Sequence, residues 1–265
     1  MSGMTADTQR KILLTGATGG VGQLLEERLA DSYDLVLSGR TPRTELEKRE
    51  LRKADLSDFD QVMGLMDGVD TVLHVAGAAS PTSEWDTVLE ANIIGFRNVL
   101  EAARKAGVRR FVYASSNHAM GMYDRDGQWP VYPHFIPRGD SLYGVSKIFG
   151  EAMGRYYHDE YGMEFIALRI GWQAEDPMEM DADVLHAMWL SDDDAEQIFR
   201  CAIEADVKFG LYYAISDNPN RRWDLTNTML ELGYRPKDSW TDASGETEDV
   251  VEGGEPAPEN WPKDA

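Results

Sequence analysis

The stretch KILLTGATGGVGQLLEERL, residues 11–29, joins a short apolar run to a glycine-rich turn and then to an amphipathic pattern. KILLT (11–15) reads as a strand, and Val21, Leu24, Leu25 and Leu29 recur at helical spacing. Between them stand Gly16, Gly19 and Gly22. Glycine lets a backbone turn tightly and approach a bound group, and a helix that opens at such a turn aims unpaired N–H groups at an anion. A glycine-rich turn alone is common. At the first strand–helix junction of an alternating chain, it is where the pyrophosphate of a dinucleotide would rest.

The rest of the chain alternates in the same way. DLVLS (34–38), TVLHVA (71–76), RFVYAS (110–115), EFIALRI (164–170) and LYYAIS (211–216) are apolar runs without strict alternation, as expected of strands covered on both faces, and LRKAD (51–55) is a weaker strand. Val88, Ile94, Val99 and Ala102 mark a helix less tidily than the first one. The pattern predicts an α/β fold, a doubly wound parallel sheet of Rossmann type with a small C-terminal part. The expected division is 1–170 for the dinucleotide-binding and catalytic part and 171–240 for a substrate-binding part interleaved with the last sheet strand. An acidic tail is expected over 241–265. That tail carries eight acidic residues, three Gly and three Pro, and is expected to be a flexible or draped segment, with Trp261 as an anchor on a neighbour.

The chain has 47 Asp and Glu against 26 Lys and Arg, a net charge of −21. Such a surface repels nucleic acid and anionic membranes, so neither is an expected partner. The excess suits a folded protein adapted to high salt, where repulsion is screened within a few ångströms. One cysteine, Cys201, allows no internal disulfide, and the polar start MSGMTADTQRK has no apolar signal segment, so a cytoplasmic location is expected. The five histidines show no metal-ligand spacing, and no metal is expected.

The second strand bears on the choice of dinucleotide. An NAD binder usually ends it with an acid on the ribose 2′-hydroxyl. Here it ends LSGR, with Ser38 and Gly39 at that place and Arg40 next. A guanidinium binds a 2′-phosphate through charge-assisted hydrogen bonds, so NADP is expected, with NAD possible.

Further along, SLYGVSK (141–147) places Tyr143 and Lys147 one helical turn apart. The apolar stripe Val145, Ile148, Phe149, Ala152, Met153 and Tyr156 is expected to face the core, which puts Tyr143 and Lys147 on the opposite face. A nearby cation stabilises a phenolate and makes tyrosine a usable base. YASSNHAMG (113–121) ends a strand in Ser115, Ser116, Asn117 and His118, at the sheet edge where ligands bind in such folds.

Taken in order, Gly16/Gly19/Gly22, Asn92, Ser116, Tyr143 and Lys147 resemble the extended short-chain dehydrogenase/reductase family. ANIIGFRNVLEAAR, ASSNH and LYGVSK resemble its uronate dehydrogenases and the sugar dehydrogenases of halophilic archaea, the L-arabinose dehydrogenase type. The resemblance implies oxidation of an aldose at C1 to the lactone. Tyr143 would be the base, Ser116 would bond the reacting oxygen, Lys147 would tune Tyr143 and reach the nicotinamide ribose, and Asn92 would hold a relay water. It further implies cofactor contacts from Gly16, Gly19, Gly20, Val21 and Gly22, from Ser38 and Arg40, from Asp55 and Leu56, and from Val75, Ala76 and Gly77. Asn92, Tyr143, Lys147 and Ile170 would complete that set. Sugar hydroxyls would fall to Ser80, Ser116, Asn117, His118 and Tyr143. A homo-oligomer is expected.

Uronate enzymes of this resemblance clamp the substrate carboxylate with an arginine after the sixth strand. WQAEDPMEMDADVLHA (172–187) has no Arg or Lys and five acids: Glu175, Asp176, Glu179, Asp181 and Asp183. A neutral aldose is therefore expected, L-arabinose first and D-galactose second, with glucose 6-phosphate and uronates as alternatives. A nucleotide-sugar epimerase or dehydratase shares the Tyr–Lys pair but usually has a larger C-terminal region. An NADPH-binding sensor without catalysis shares the fold but commonly lacks the pair.

Overall fold

The computed structural model describes residues 9–40, 49–179 and 182–244. Seven strands form one parallel sheet: β1 (Lys11–Thr15), β2 (Asp34–Gly39), β3 (Leu51–Lys53), β4 (Thr71–His74), β5 (Arg110–Ser116), β6 (Glu164–Ile170) and, late in the chain, β9 (Phe209–Ala214). Their spatial order is β3-β2-β1-β4-β5-β6-β9. The order reverses between β1 and β4, so the strand ends part there and leave a crevice at the carboxyl edge. Short β7 (Trp172–Gln173) and β8 (Trp189–Leu190) pair with each other outside this sheet.

Both faces are covered. One apolar layer joins Leu14, Leu25, Leu29, Ile166, Ile198 and Phe199 beneath α1 (Gly20–Leu29) and α8 (Asp192–Glu204). The other gathers Leu13, Val99, Phe111 and Phe165 beneath α2 (Phe59–Met63), α4 (Phe96–Ala106) and α6 (Leu142–Tyr161). A third cluster, around Met120, Met188, Tyr213 and Trp223, caps the carboxyl edge with α5 (Gly121–Arg125) and α7 (Asp183–Ala187). The chain closes with α9 (Thr226–Glu231) and α10 (Trp240–Ser244). Thr241 through Ser244 thus begin the expected tail as a helical turn; residues 245–265, Trp261 among them, lie outside the described residues.

The untidy periodicity of residues 88–102 has a structural cause. α3 (Trp85–Val88) runs into α4 through a π-helical turn, Leu89–Gly95, whose extra residue shifts the helical phase. Val88 and Val99 are buried, while Ile94 turns outward and Asn92 turns in.

The apolar stripe of α6 is a correction. Tyr143, Gly144, Ser146, Lys147, Gly150, Glu151, Gly154 and Tyr157 are its buried residues, whereas Val145 and Tyr156 are more than half exposed. Ile148, Phe149 and Met153 of the stripe do pack against the core, partly buried, and small residues explain the shift of the most buried face. A Cβ on Gly150 would lie 2.4 Å from the Tyr113 hydroxyl oxygen, and one on Gly154 2.1 Å from the Phe165 ring. The helix meets the sheet along this glycine seam, so Tyr143 and Lys147 belong to its inward face.

Candidate active site

The crevice beside β1 has a volume of about 410 Å³ and is walled by the glycine turn, the end of β2, residues 54–57 and residues 75–77. Gly16 has φ +76°, and a Cβ there would meet the Ala76 nitrogen at 2.6 Å. On Gly22 a Cβ would strike the Gly16 oxygen at 2.1 Å, so both positions require glycine. Gly19 caps α1 with no side-chain hydrogen bond to its first turn, which leaves amides there for an anion. The sequence-expected Gly16, Gly19, Gly20, Val21, Gly22, Ser38, Arg40, Asp55, Leu56, Val75, Ala76 and Gly77 all line this crevice. Thr18, Ser57 and Glu90 also line it and were not anticipated, because turn neighbours carry no motif of their own.

At the outer end Ser38 is 1% exposed and its Oγ has no hydrogen-bond partner among the described residues, while Arg40 lies exposed. The Asp55 carboxylate accepts from Ser57 N (2.9 Å) and Oγ (2.8 Å), and these bonds, with the Arg40 charge, hold its pKa below the usual value. An orphaned hydroxyl beside a guanidinium, a glycine cradle and an uncapped helix end fit a dinucleotide with its adenosine half at β2 and its pyrophosphate at α1.

The polar cluster lies where β5 meets α6. Ser116 ends β5 opposite Ile170 of β6; its Oγ donates to Asn117 Oδ1 (3.2 Å) and accepts from His118 N (3.2 Å), and its hydroxyl acts on the Tyr143 phenol as a pKa-lowering neighbour. Burial pushes the Tyr143 hydroxyl up to about 12, with the Ser116 hydroxyl opposing and Asp140 adding to the rise. Lys147 is equally enclosed; burial brings its ammonium down to about 8, with the Glu151 carboxylate opposing. Its Nζ donates to the Ala114 carbonyl (2.7 Å) and stands 5.4 Å from the centre of the Tyr143 ring. The expected lowering of Tyr143 by Lys147 is not a property of the protein alone, since desolvation is the larger effect here.

Asn92 is 3% exposed and stitches two segments together. Its Oδ1 accepts from Ala78 N (2.7 Å), and its Nδ2 donates to Ala78 O (3.0 Å) and to Ser146 Oγ (2.8 Å). Ser146 Oγ in turn donates to Tyr143 O (2.6 Å). The side chain of Asn92 therefore fixes the loop after β4 against the first turn of α6.

Beyond Tyr143 lies a small cavity of about 20 Å³. Asn117, His118 and Asp140 line it from one side, and Arg125, Met188 and Trp223 also contribute to its wall. His118 Nδ1 sits 2.8 Å from Asp140 Oδ2, and its ring meets that of Tyr143 edge-on at 5.7 Å. Asn117 Nδ2 donates to Met188 Sδ (2.9 Å). Ser80 lies elsewhere, its hydroxyl shared with Thr82, and lines neither cavity. Asn92, Tyr143, Lys147 and Ile170 are likewise outside the lining of the large crevice.

Two facts bear on the arginine-free segment 172–187. Asp183 is bonded to Arg222, a fully buried guanidinium that also bonds Asp124 Oδ1 (2.6 Å). Arg125 reaches the cavity from α5, outside that segment. The missing arginine therefore does not leave the cavity without a cation.

The model of the NAD dependent epimerase/dehydratase family matches residues 12–172, from β1 through the start of β7. This chain belongs to that family. It is 39% identical to an NAD-dependent glucose-6-phosphate dehydrogenase of Haloferax volcanii, over 91% of this chain and 98% of that one. It is 40% identical to an L-arabinose 1-dehydrogenase (NAD(P)(+)) of the same organism, over 86% and 97%. A crystal structure of a glucuronic acid dehydrogenase from Chromohalobacter salexigens superposes with a TM-score of 0.81 at 32% identity, covering 92% of this chain and 91% of that one.

Proposed function

We propose that this protein oxidises an aldose at C1 to the lactone, with NADP preferred over NAD as hydride acceptor. The observation that carries the reading is the buried group Ser116–Tyr143–Lys147, set at the carboxyl edge of the sheet beside a dinucleotide-shaped crevice. The relatives named for sugar dehydrogenation support it, and Ser38 with Arg40 at the outer end of the crevice supports the choice of NADP.

The bound nicotinamide supplies a hydride acceptor and, when oxidised, a positive charge. Tyr143, once its own proton has left to solvent, accepts the proton of the C1 hydroxyl as a phenolate. It is the group within reach of Ser116, which donates a hydrogen bond to the same oxygen and holds it as the proton leaves. Lys147, held by the Ala114 carbonyl, keeps a positive charge beside the phenol and offers remaining donors to the nicotinamide ribose. The Asn92–Ser146 bonds keep the start of α6, and so Tyr143, at a fixed height over the edge. Asn117 and His118 meet sugar hydroxyls.

The test is formation of reduced nicotinamide in concentrated KCl with L-arabinose, D-galactose, glucose 6-phosphate and galacturonate, each with NADP and with NAD. Tyr143→Phe should bind NADPH normally and lose turnover by about 100- to 10,000-fold, the usual contribution of a positioned acid–base group. An active Phe variant would remove Tyr143 from the chemistry. Tightly held NAD in the purified protein with no sugar oxidation would favour an epimerase instead.

A further inference from the structure

We propose that Arg125 selects the substrate, by binding an anionic group, a phosphate ester or a carboxylate, at the end of the aldose remote from C1. The proposal rests on the aldose reading above and names the substrate class for that site.

Arg125 ends α5 between two aspartates, yet bonds neither. Asp124 is committed to Arg222 (2.6 Å) and Asp126 to Arg138 (2.7 Å). Arg155 holds Asp159 and Arg221 holds Asp217, whereas Arg125, like Arg52 and Arg97, has no carboxylate partner among the described residues. Arg125 makes no hydrogen bond or ion pair among the described residues, and it lines the cavity that Asn117 and His118 enter.

The carboxylates around that cavity are already engaged. Asp140 lies against His118 Nδ1 and accepts from Ser141 Oγ, and Asp124 faces a fully buried guanidinium. An arriving anion therefore meets the Arg125 guanidinium beside two hydrogen-bonded acids, Asp124, which shares Arg222 with Asp183, and Asp140, which is held by His118 and Ser141. Trp223 adds a buried indole N–H with no acceptor among the described residues to the same wall. A volume of about 20 Å³ holds one small polar group rather than a whole ring, so what it reads is a single substituent.

The placement suits a sugar. His118 packs on Tyr143, and from His118 to Arg125 the chain advances seven residues through a 3₁₀ turn, Asn117–Met120, and α5. Both residues line the same small cavity, so a sugar that meets His118 brings a substituent to the wall that Arg125 forms. With C1 at Tyr143, the far substituent points towards Arg125.

The experiment compares kcat/KM for glucose 6-phosphate against glucose, and for galacturonate against galactose, in the wild type and in Arg125→Ala and Arg125→Lys. The wild type should prefer at least one anionic sugar over its neutral partner, and the preferred pair tells phosphate from carboxylate. Arg125→Ala should lower that preference by about 10- to 100-fold, the range of a charge-assisted hydrogen bond. The loss should appear in KM, be partly restored in Arg125→Lys, and shrink as KCl is raised. Equal losses on both members of a pair, or an unchanged preference, would overturn the assignment. So would a wild type that oxidises only neutral sugars, an outcome that leaves the dehydrogenase reading intact. Oxidation of no aldose at all would bring down both.

Discussion

Glu151 and Arg169 form an ion pair inside the molecule, 4% and 0% exposed, and replacing Glu151 by Gln tests how far the site depends on it. Arg169 Nε and Nη2 donate to Glu151 Oε1 and Oε2, each at 2.8 Å, and Ser115 Oγ donates to Oε1 at 2.6 Å. Glutamine keeps the shape but removes the charge and turns one amide N–H₂ towards a guanidinium. Two unit charges about 4 Å apart attract by about 4 kcal/mol at an effective dielectric near 20. Removing one member of a buried pair typically costs about 3–5 kcal/mol, because the other is left enclosed. The whole stability of such a fold is about 5–15 kcal/mol. Urea unfolding followed by circular dichroism should therefore show the midpoint fall by roughly 1–2 M for a slope near 3 kcal/mol/M. The pair Glu151→Leu with Arg169→Met should be more stable than Glu151→Gln, as removal of both charges relieves the burial penalty. A loss below about 1 kcal/mol in Glu151→Gln would refute the reasoning, since it would mean that water reaches the pair. A second readout is the pH profile. Glu151 holds the Lys147 ammonium up against burial, so its neutralisation should move the alkaline loss of activity to lower pH.

Other expectations follow from the same geometry. Arg40→Ala should lower the NADP-over-NAD ratio of kcat/KM by about 10-fold or more, and an unchanged ratio would place the 2′-phosphate elsewhere. His74 is fully enclosed among Phe96, Phe111 and Tyr113, with Nδ1 2.9 Å from Thr15 Oγ1, and burial brings its pKa down to about 3. The unfolded chain takes up that proton near pH 6.5 and the folded one does not until about 3. Stability is thus present above pH 6.5 and is lost on acidification, by up to about 5 kcal/mol near pH 3. His74→Gln should flatten this acid limb in calorimetry; a limb of unchanged steepness would assign the acid loss to other groups.

The sheet was legible because its strands are apolar runs buried on both faces, a signal that needs no knowledge of neighbours. Small departures have local reasons. β4 stops at His74 rather than Ala76 because Val75, Ala76 and Gly77 leave the ladder to wall the crevice, with Gly77 at φ +157°. The crevice residues were legible for a similar reason, since the glycine turn and the strand ends are continuous in sequence. What could not be read was contact between distant segments. The most buried face of α6 is built around Gly150, Gly154 and Ser146, residues with no hydrophobic signal, so the apolar stripe marked only its flank: Ile148, Phe149 and Met153 pack on the core, and Val145, Ala152 and Tyr156 do not. Arg125 and Trp223 come to one cavity from segments about a hundred positions apart, and neither lies in a pattern of its own.

The sheet's last partner is also the last to leave the ribosome. β6 has all seven residues buried, and one side of it pairs only with β9, whose final residue is Ala214. Arg110 behaves likewise: its guanidinium donates to the carbonyls of Ala202, Ile203, Ala205 and Val207. A nascent chain that has already made the crevice, Tyr143 and Lys147 thus still carries a bare strand edge and an Arg110 that has its Glu164 partner but not these four carbonyls. Such an edge is a template for pairing with other chains. The C-terminal quarter thus completes, in the folded chain, both the sheet edge and the buried environment of Arg110 that the segments before it leave open.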